Sequence, residues 1–371
     1  MTLRNIFCCQ AQYMTASRPQ TGFSLVELMV AITIGLIIVA AASEIFLRSH
    51  ATYQVDEGMA RVQENARFAM DYLHKDIRMA GYLGCNSRLF ADNKVNNIVK
   101  PASQVTLFNT GGLRGYRYQC TSSCSGNLSE WEPALPSEFF TNGEVKTQSD
   151  VIIINRGSDL DTSLWGNLAP DNGNIQLNNP SQIRNEIAVN DILLISDCSG
   201  ADVFRATNVG QGAQTTIAHS SSGNTDSKLS KSYGPDGRLM KLVTRAYYVR
   251  DSATDSEPGL YRKELGTGGV LQAGQELVGG VESIKILYGV DTAGTGSIAQ
   301  FVPPNSVGDW TKVIAVRLGF IARTPGTVDT QQDTKTYDLL GDTTSGLDNF
   351  GPVNDKRRRR VFNETIRIRN H

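Results

Sequence analysis

Gly22, Phe23 and Glu27 hold the most informative chemistry in this 371-residue sequence. They open the apolar run "GFSLVELMVAITIGLIIVAAASEIFL", residues 22–47. Sixteen uncharged residues, 28–43, form its centre, and with their flanks they reach the length a bilayer requires. Arg4 and Arg18 precede the run and no acid does, which places the N-terminus in the cytoplasm and the rest of the chain outside. A standard secretory signal would be cut after the run, near "AAAS" at 40–43. A signal anchor would not be cut at all. Both leave Glu27 unexplained, because a carboxylate at the bilayer centre costs about 2.5–3.5 kcal/mol, and somewhat less near an end. A cut between Gly22 and Phe23 gives the acid a purpose. The new amine then starts the apolar helix and Glu27 becomes its fifth residue. The carboxylate can answer its own helix dipole and amine, worth about 0.3–1 kcal/mol. It can also meet the amine of a neighbouring copy, worth about 4 kcal/mol at about 4 Å and an effective dielectric of about 20.

The cysteines are the second set. Cys8 and Cys9 would leave with a leader cut after Gly22. Cys85, Cys120, Cys124 and Cys198 remain, an even number that suits an oxidising compartment and allows three pairings. The expected pairs are Cys120 with Cys124, a short step that closes easily, and Cys85 with Cys198. "CTSSC" is at most half of a zinc site, and His50, His74, His219 and His371 lie far from it in sequence, so no metal is expected. There is no G-x-S-x-G, H-E-x-x-H or G-x-x-x-x-G-K-[ST]. No cofactor and no catalysis are expected. "GTGG" (266–269) and "DNGN" (171–174) read as turns. The run "KRRRR" (356–360) could grip phosphates, but such a run is more often a solvated turn or a protein contact. The net charge of −1 provides no general basic field, so nucleic acid is not an expected partner.

A helix must carry these N-terminal residues. Val55, Met59, Val62, Ala66, Ala69, Leu73, Ile77 and Ala80 form one apolar stripe at helical spacing, and no Pro interrupts residues 21–100. Glu57/Arg61 and Asp71/Lys75 are i,i+4 pairs with the acid first, and Gly81 is placed to end the helix. A helix from residue 23 to 80 would be about 85 Å long. Gly35 and Gly58 are points where it could bend. Its first half is apolar all round and needs lipid or like helices. Its second half is amphipathic and can dock on a sheet, for which the small Ala66, Ala69 and Ala80 are suited; a coiled-coil dimer is the alternative. Beyond Cys85 the period changes to that of strands, expected at 150–156, 191–197, 202–208, 242–250, 259–265, 281–290, 311–323 and 361–370. Residues 251–259 read as a hairpin loop and 324–355 as loop. The fold expected is α+β, a long N-terminal helix packed on a mostly antiparallel β-sheet. It divides into residues 1–22, a leader; 23–47, an apolar transmembrane and assembly helix; 48–84, its amphipathic continuation; and 85–371, a β-rich globular domain.

"GFSLVELMVA" (22–31) resembles the class III signal of type IV prepilins, matching at Gly22, Phe23 and Glu27 with Leu25, Leu28 and Val30 as apolar neighbours. The resemblance implies cleavage after Gly22 by a prepilin peptidase and methylation of the Phe23 amine. "RVQENARFAMDYLHKDIRMAGYLGC" (61–85) resembles PilW-type minor pilins of type IV pili. It is more specific than the leader motif, which major pilins and type II secretion pseudopilins share. Residues 191–208 and 357–370 resemble the same family; residues 86–149 do not. A minor pilin of this type is expected to help initiate pilus assembly, in a tip complex with other minor pilins that supports an adhesin on a fibre of major pilin. It would sit in the inner membrane, with its globular part periplasmic, before joining the extracellular pilus tip. The alternatives are a minor pseudopilin of type II secretion and a DNA-uptake pilin.

Overall fold

The computed structural model describes residues 22–85, 89, 92–100, 111–168, 170–177, 186–212, 214–252, 254, 257–341 and 348–369. Residues 1–21 of the expected leader, with Cys8 and Cys9, lie outside them, as do His371, parts of 86–149 and part of the expected hairpin loop at 251–259.

One unbroken helix, α1 (Leu25–Arg78), follows from the absence of Pro. It ends in a tightened turn. Gly81, at φ 71°, takes the left-handed conformation that stops a helix, and its N–H donates to Asn155 O at 2.9 Å. The chain divides into two units, Met1–Gln54 and Val55–His371. In the first, the apolar half of α1 is long and apolar enough to cross a membrane, and none of that stretch is buried in the protein.

The second unit is β-rich. Its strands are β1 (Val95–Asn97), β2 (Leu113–Tyr118), β3 (Trp131–Glu132), β4 (Val151–Ser163), β5 (Ile175–Gln176) and β6 (Ile192–Ser196). Next come β7 (Ala201–Arg205), β8 (Asn208–Gln211), β9 (Thr215–Ala218), β10 (Arg238–Asp251), β11 (Pro258–Glu264) and β12 (Gln275–Gly279). The last are β13 (Val281–Val290), β14 (Gln300–Val302), β15 (Val313–Arg323), β16 (Tyr337–Asp338), β17 (Asn349–Phe350) and β18 (Arg359–Arg367). They do not form the single sheet expected. A nine-stranded sheet runs β1-β7-β6-β10-β4-β2-β3, with β11 and β12 added beside β10. A four-stranded sheet runs β14-β13-β15-β18, and smaller sheets pair β16 with β17 and β5-β9-β8. Among the described residues only β1 and β7 pair in parallel. The strand expected at 202–208 is two: β7 stops at Arg205 and β8 begins at Asn208. Residues 324–355, expected as loop, contain β16 and β17.

The stripe of α1 explains how the two large sheets hold together. Val62, Ala66, Ala69, Leu73, Ile77 and Ala80 share one core with Leu113, Ile152, Ile154 and Tyr247 of the first sheet and Ile284, Ile286, Tyr288, Val316 and Phe320 of the second. The small alanines let the helix approach closely. Gly58 does not bend the helix; a Cβ there would lie 3.1 Å from Thr324 Cγ2 and 3.5 Å from Val328 Cγ1, so its bare backbone admits the 324–328 segment. The Glu57–Arg61 pair forms at 2.7 Å, whereas Lys75 reaches Asp159 at 4.0 Å. Asp76 sits on the buried face and pairs with Arg245 at 3.0 Å and Arg156 at 3.4 Å.

A chain starting at Tyr53 retains this whole unit and is expected to be soluble, with the helix kept to Arg78. A chain starting at Asp71 loses Val62, Ala66 and Ala69 and uncovers both sheets, so it is expected to aggregate. Circular dichroism and light scattering compare the two. A Tyr53 chain that aggregates beside a soluble, folded Asp71 chain would mean that the stripe serves another subunit.

Candidate processing and assembly site

Ser24 starts α1 as its cap. Its carbonyl accepts from Leu28 N–H at 3.1 Å, and its N–H donates to Glu27 Oε2 at 3.2 Å. This is one half of a capping box, in which the third helical residue reaches back to the cap. The S-x-x-E spacing at 24–27 was a readable signal for it beside the dipole and amine readings. The other carboxylate oxygen, Glu27 Oε1, has no partner among the described residues and faces outward. Phe23 is 89% exposed, and a Cβ built on Gly22 would meet nothing within 4 Å. Gly22 also has no left-handed φ. Neither space nor backbone conformation in this chain therefore requires glycine at that position. Gly22 and Phe23 precede an uncovered apolar helix and Glu27 sits in its first turn, all three exposed.

The cysteines meet as two disulfides, Cys85–Cys198 with Cα atoms 5.0 Å apart and Cys120–Cys124 at 5.8 Å. The first ties the chain just after α1 to the β6–β7 turn. Glu130 lies beside the second, and the three side chains have ligand atoms within 4.8 Å of one another. They do not suit a metal. Both sulfurs are spent in the disulfide, and Glu130 accepts from the N–H groups of Ser125, Gly126 and Asn127. Those bonds, Ser125's first, hold the Glu130 carboxyl down to about 2.

The basic run, read as a solvated turn or a protein contact, is in large part paired within the chain. Arg357 pairs with Glu257 at 2.8 Å and Arg358 with Asp329 at 2.9 Å. Arg359 is buried and binds Glu282 (2.6 Å), Asp333 (3.0 Å) and Asp355 (2.6 Å). Burial opposes its charge, but Asp355 and Glu282 more than offset that, so its pKa is raised. These acids occupy the guanidiniums that phosphates would need; Arg360 lies over the Phe362 ring. A groove of about 320 Å³ is lined by Ser158, Asp191, Lys241, Glu264, Thr267 and Gln272. Its Asp191 already holds Lys241 at 2.8 Å and the Gly268 N–H at 2.7 Å.

Comparison with known families agrees at both ends of the chain. The "Prokaryotic N-terminal methylation motif" matches residues 17–43, spanning Gly22, Phe23 and Glu27. "Type IV Pilus-assembly protein W" matches residues 246–370, from within β10 through β18. No curated protein matches. Among solved structures, the chain is similar to the "Type IV-like pilin TTHA1219 from Thermus thermophilus", at 13% identity and a TM-score of 0.33 over 84% of this chain and 96% of that one. The N-terminal methylation motif at the start of the chain and the pilus-assembly protein W match over its last third together support a PilW-type minor pilin of the type IV prepilin family.

Proposed function

We propose that this minor pilin helps to initiate type IV pilus assembly, in a small tip complex with other minor pilins that supports an adhesin on the major-pilin fibre. A prepilin peptidase would remove residues 1–22 and methylate Phe23, with the apolar helix in the inner membrane and the β-rich unit in the periplasm. The pilins are structural subunits, and a complex of this kind needs an assembly element that the subunit cannot satisfy by itself. The observation that carries the reading is the start of α1: an uncovered apolar helix that opens with a carboxylate, one oxygen of which has no partner among the described residues. The DNA-uptake alternative loses support because Arg357, Arg358 and Arg359 are paired internally.

The intact mass of the membrane form tests the processing step; a chain beginning near Ser43 would sink it. Glu27→Leu tests assembly. Membrane insertion should be unchanged, because removing a charge makes the segment more apolar. Incorporation into pili should fall at least about tenfold, since a neighbour's amine loses a partner worth about 4 kcal/mol. Wild-type incorporation of the variant would show that Glu27 pairs with nothing outside its own chain.

A further inference from the structure

We infer that the outer edge of β18 is a docking site for an extended strand donated by a different chain. This goes beyond the reading above, because it does not depend on where in the fibre the subunit sits.

The argument begins with register. In an antiparallel ladder, successive residues of one strand turn their N–H and C=O alternately toward the partner and away from it. β18 pairs with β15 without a bulge from Ala315↔Arg367 to Arg323↔Arg359. Two flanking bonds fix the phase. Thr324 N–H donates to Arg358 O at 2.9 Å, and Ile368 N–H donates to Ile314 O at 3.0 Å. The even-numbered residues of β18 therefore face β15. Val361, Asn363, Thr365 and Arg367 turn their backbone groups outward. Arg369 continues that outward row, and its N–H donates to Arg78 O at the end of α1, 2.9 Å away. Before it, no group among the described residues bonds to the N–H or C=O of Val361, Asn363, Thr365 or Arg367. The Asn363, Thr365 and Arg367 side chains are exposed.

Natural sheets blunt such edges with short strands, bulges, Pro or a covering element. The other edges here follow that rule. β14 and β1 have three residues each and β3 has two. β12 carries a register shift against β11, and Asn65 covers its last carbonyl, Gly279 O, at 3.0 Å. β18 has nine residues, no bulge and no Pro.

Chemistry selects the occupant. A row of free donors and acceptors at two-residue spacing fits an extended backbone and nothing else as well. The exposed charges of this edge are Arg360, Arg367 and Arg369, while its acid, Glu364, is held by His74 at 2.9 Å. Arg367 also donates to Gly296 O at 2.8 Å; a second copy would add three more guanidiniums to strands spaced about 5 Å apart, less than the screening length of about 8 Å, with no free acid of this edge to answer them. The strand that fits comes from another protein, has about five to seven residues, and carries acidic or neutral side chains.

The test is residue-resolved hydrogen exchange on the full-length chain, purified alone in detergent and compared with the same chain in the pili and membrane complexes that contain it. The amides of Val361, Asn363, Thr365 and Arg367 should exchange at least about tenfold more slowly in the assembled sample, while those of the even-numbered residues are slow in both. Equal rates at the odd-numbered amides would overturn the proposal. Thr365→Pro removes an N–H that β15 does not use, so the fold should stand and the protection at Val361, Asn363 and Arg367 should vanish. If that variant fails to fold, the exchange comparison still decides the matter. A photo-crosslinker at Asn363 identifies the strand: an extended segment of another protein supports the assignment, and a peptide of this same chain refutes it.

Discussion

Asp76→Ala is expected to destabilise the β-rich unit by about 3–5 kcal/mol, the cost of leaving buried charges without their partner. Asp76 is 1% exposed on α1. Both of its oxygens accept from Arg245 Nη1 at 3.0 Å, and Tyr247 donates its hydroxyl to Oδ2 at 2.5 Å. Arg156 Nε lies 3.4 Å from Oδ1. Arg156 belongs to β4, and Arg245 and Tyr247 to β10, so one carboxylate fastens the helix to the two central strands of the larger sheet. Burial, and then the charge of Asp76, push the Tyr247 pKa well up, which keeps its hydroxyl a donor. With alanine in place, Arg245 keeps Glu264 at 3.0 Å, but Arg156 keeps only one acid, Asp159, at 3.3 Å and largely exposed, beside the Gly157 carbonyl at 2.9 Å. Tyr247 loses its acceptor. Asp76→Asn preserves the shape and one acceptor oxygen and should cost less. Thermal and denaturant melts of the full chain measure both variants. A loss below about 1 kcal/mol for Asp76→Ala would mean that water or a neighbouring group replaces the carboxylate.

The difference between what the sequence revealed and what it concealed follows the range of the interactions. The α1 stripe was readable because its period is local: Val62, Ala66, Ala69, Leu73 and Ile77 are buried as their spacing requires. Asp76 was readable by the same period, three residues after Leu73 and four before Ala80, yet an acid on that face is taken for a surface residue unless its partners are known. Those partners lie 80 residues and more along the chain, where no pattern announces them. Arg359 is the same case. Inside "KRRRR" it looks solvated, and Glu282, the acid that buries it, stands on a different strand. Long strands such as β13 and β15 carry enough alternating or apolar residues to be seen. Strands of two or three residues, such as β3, β5, β16 and β17, exist only because a longer strand or turn lies beside them. That one helix stripe would close over two sheets rather than one depends on strand order, which no residue spacing encodes. The N-terminal methylation motif, matched over residues 17–43, was readable for the opposite reason. A peptidase acts on a linear segment, so the information has to lie in consecutive residues.

Gly22→Asp is expected to abolish removal of the leader and, with it, incorporation into pili. In this chain Gly22 is free of structural duty: a side chain would meet nothing within 4 Å, and the backbone is not in the left-handed region. The β-rich unit, Val55–His371, has its own core and disulfides. The substitution should therefore leave its melting temperature and disulfide map unchanged. Its effect must fall on whatever reads the segment from outside, where a site shaped for glycine rejects a carboxylate. An uncut chain has no amine at Phe23. Its neighbour's Glu27 then loses an attraction of about 4 kcal/mol, about a thousandfold in an equilibrium constant, even if the subunit reaches the growing fibre. Glu27→Leu removes the other half of the same pair and should leave the cut intact, so the two variants separate processing from pairing. Intact-mass spectrometry of membrane and pilus fractions reads both steps. A Gly22→Asp chain that begins at Phe23 in wild-type amount would show that cleavage does not depend on this glycine. A full-length Gly22→Asp chain found in pili at the wild-type level would show that the free amine is not what holds the subunit there.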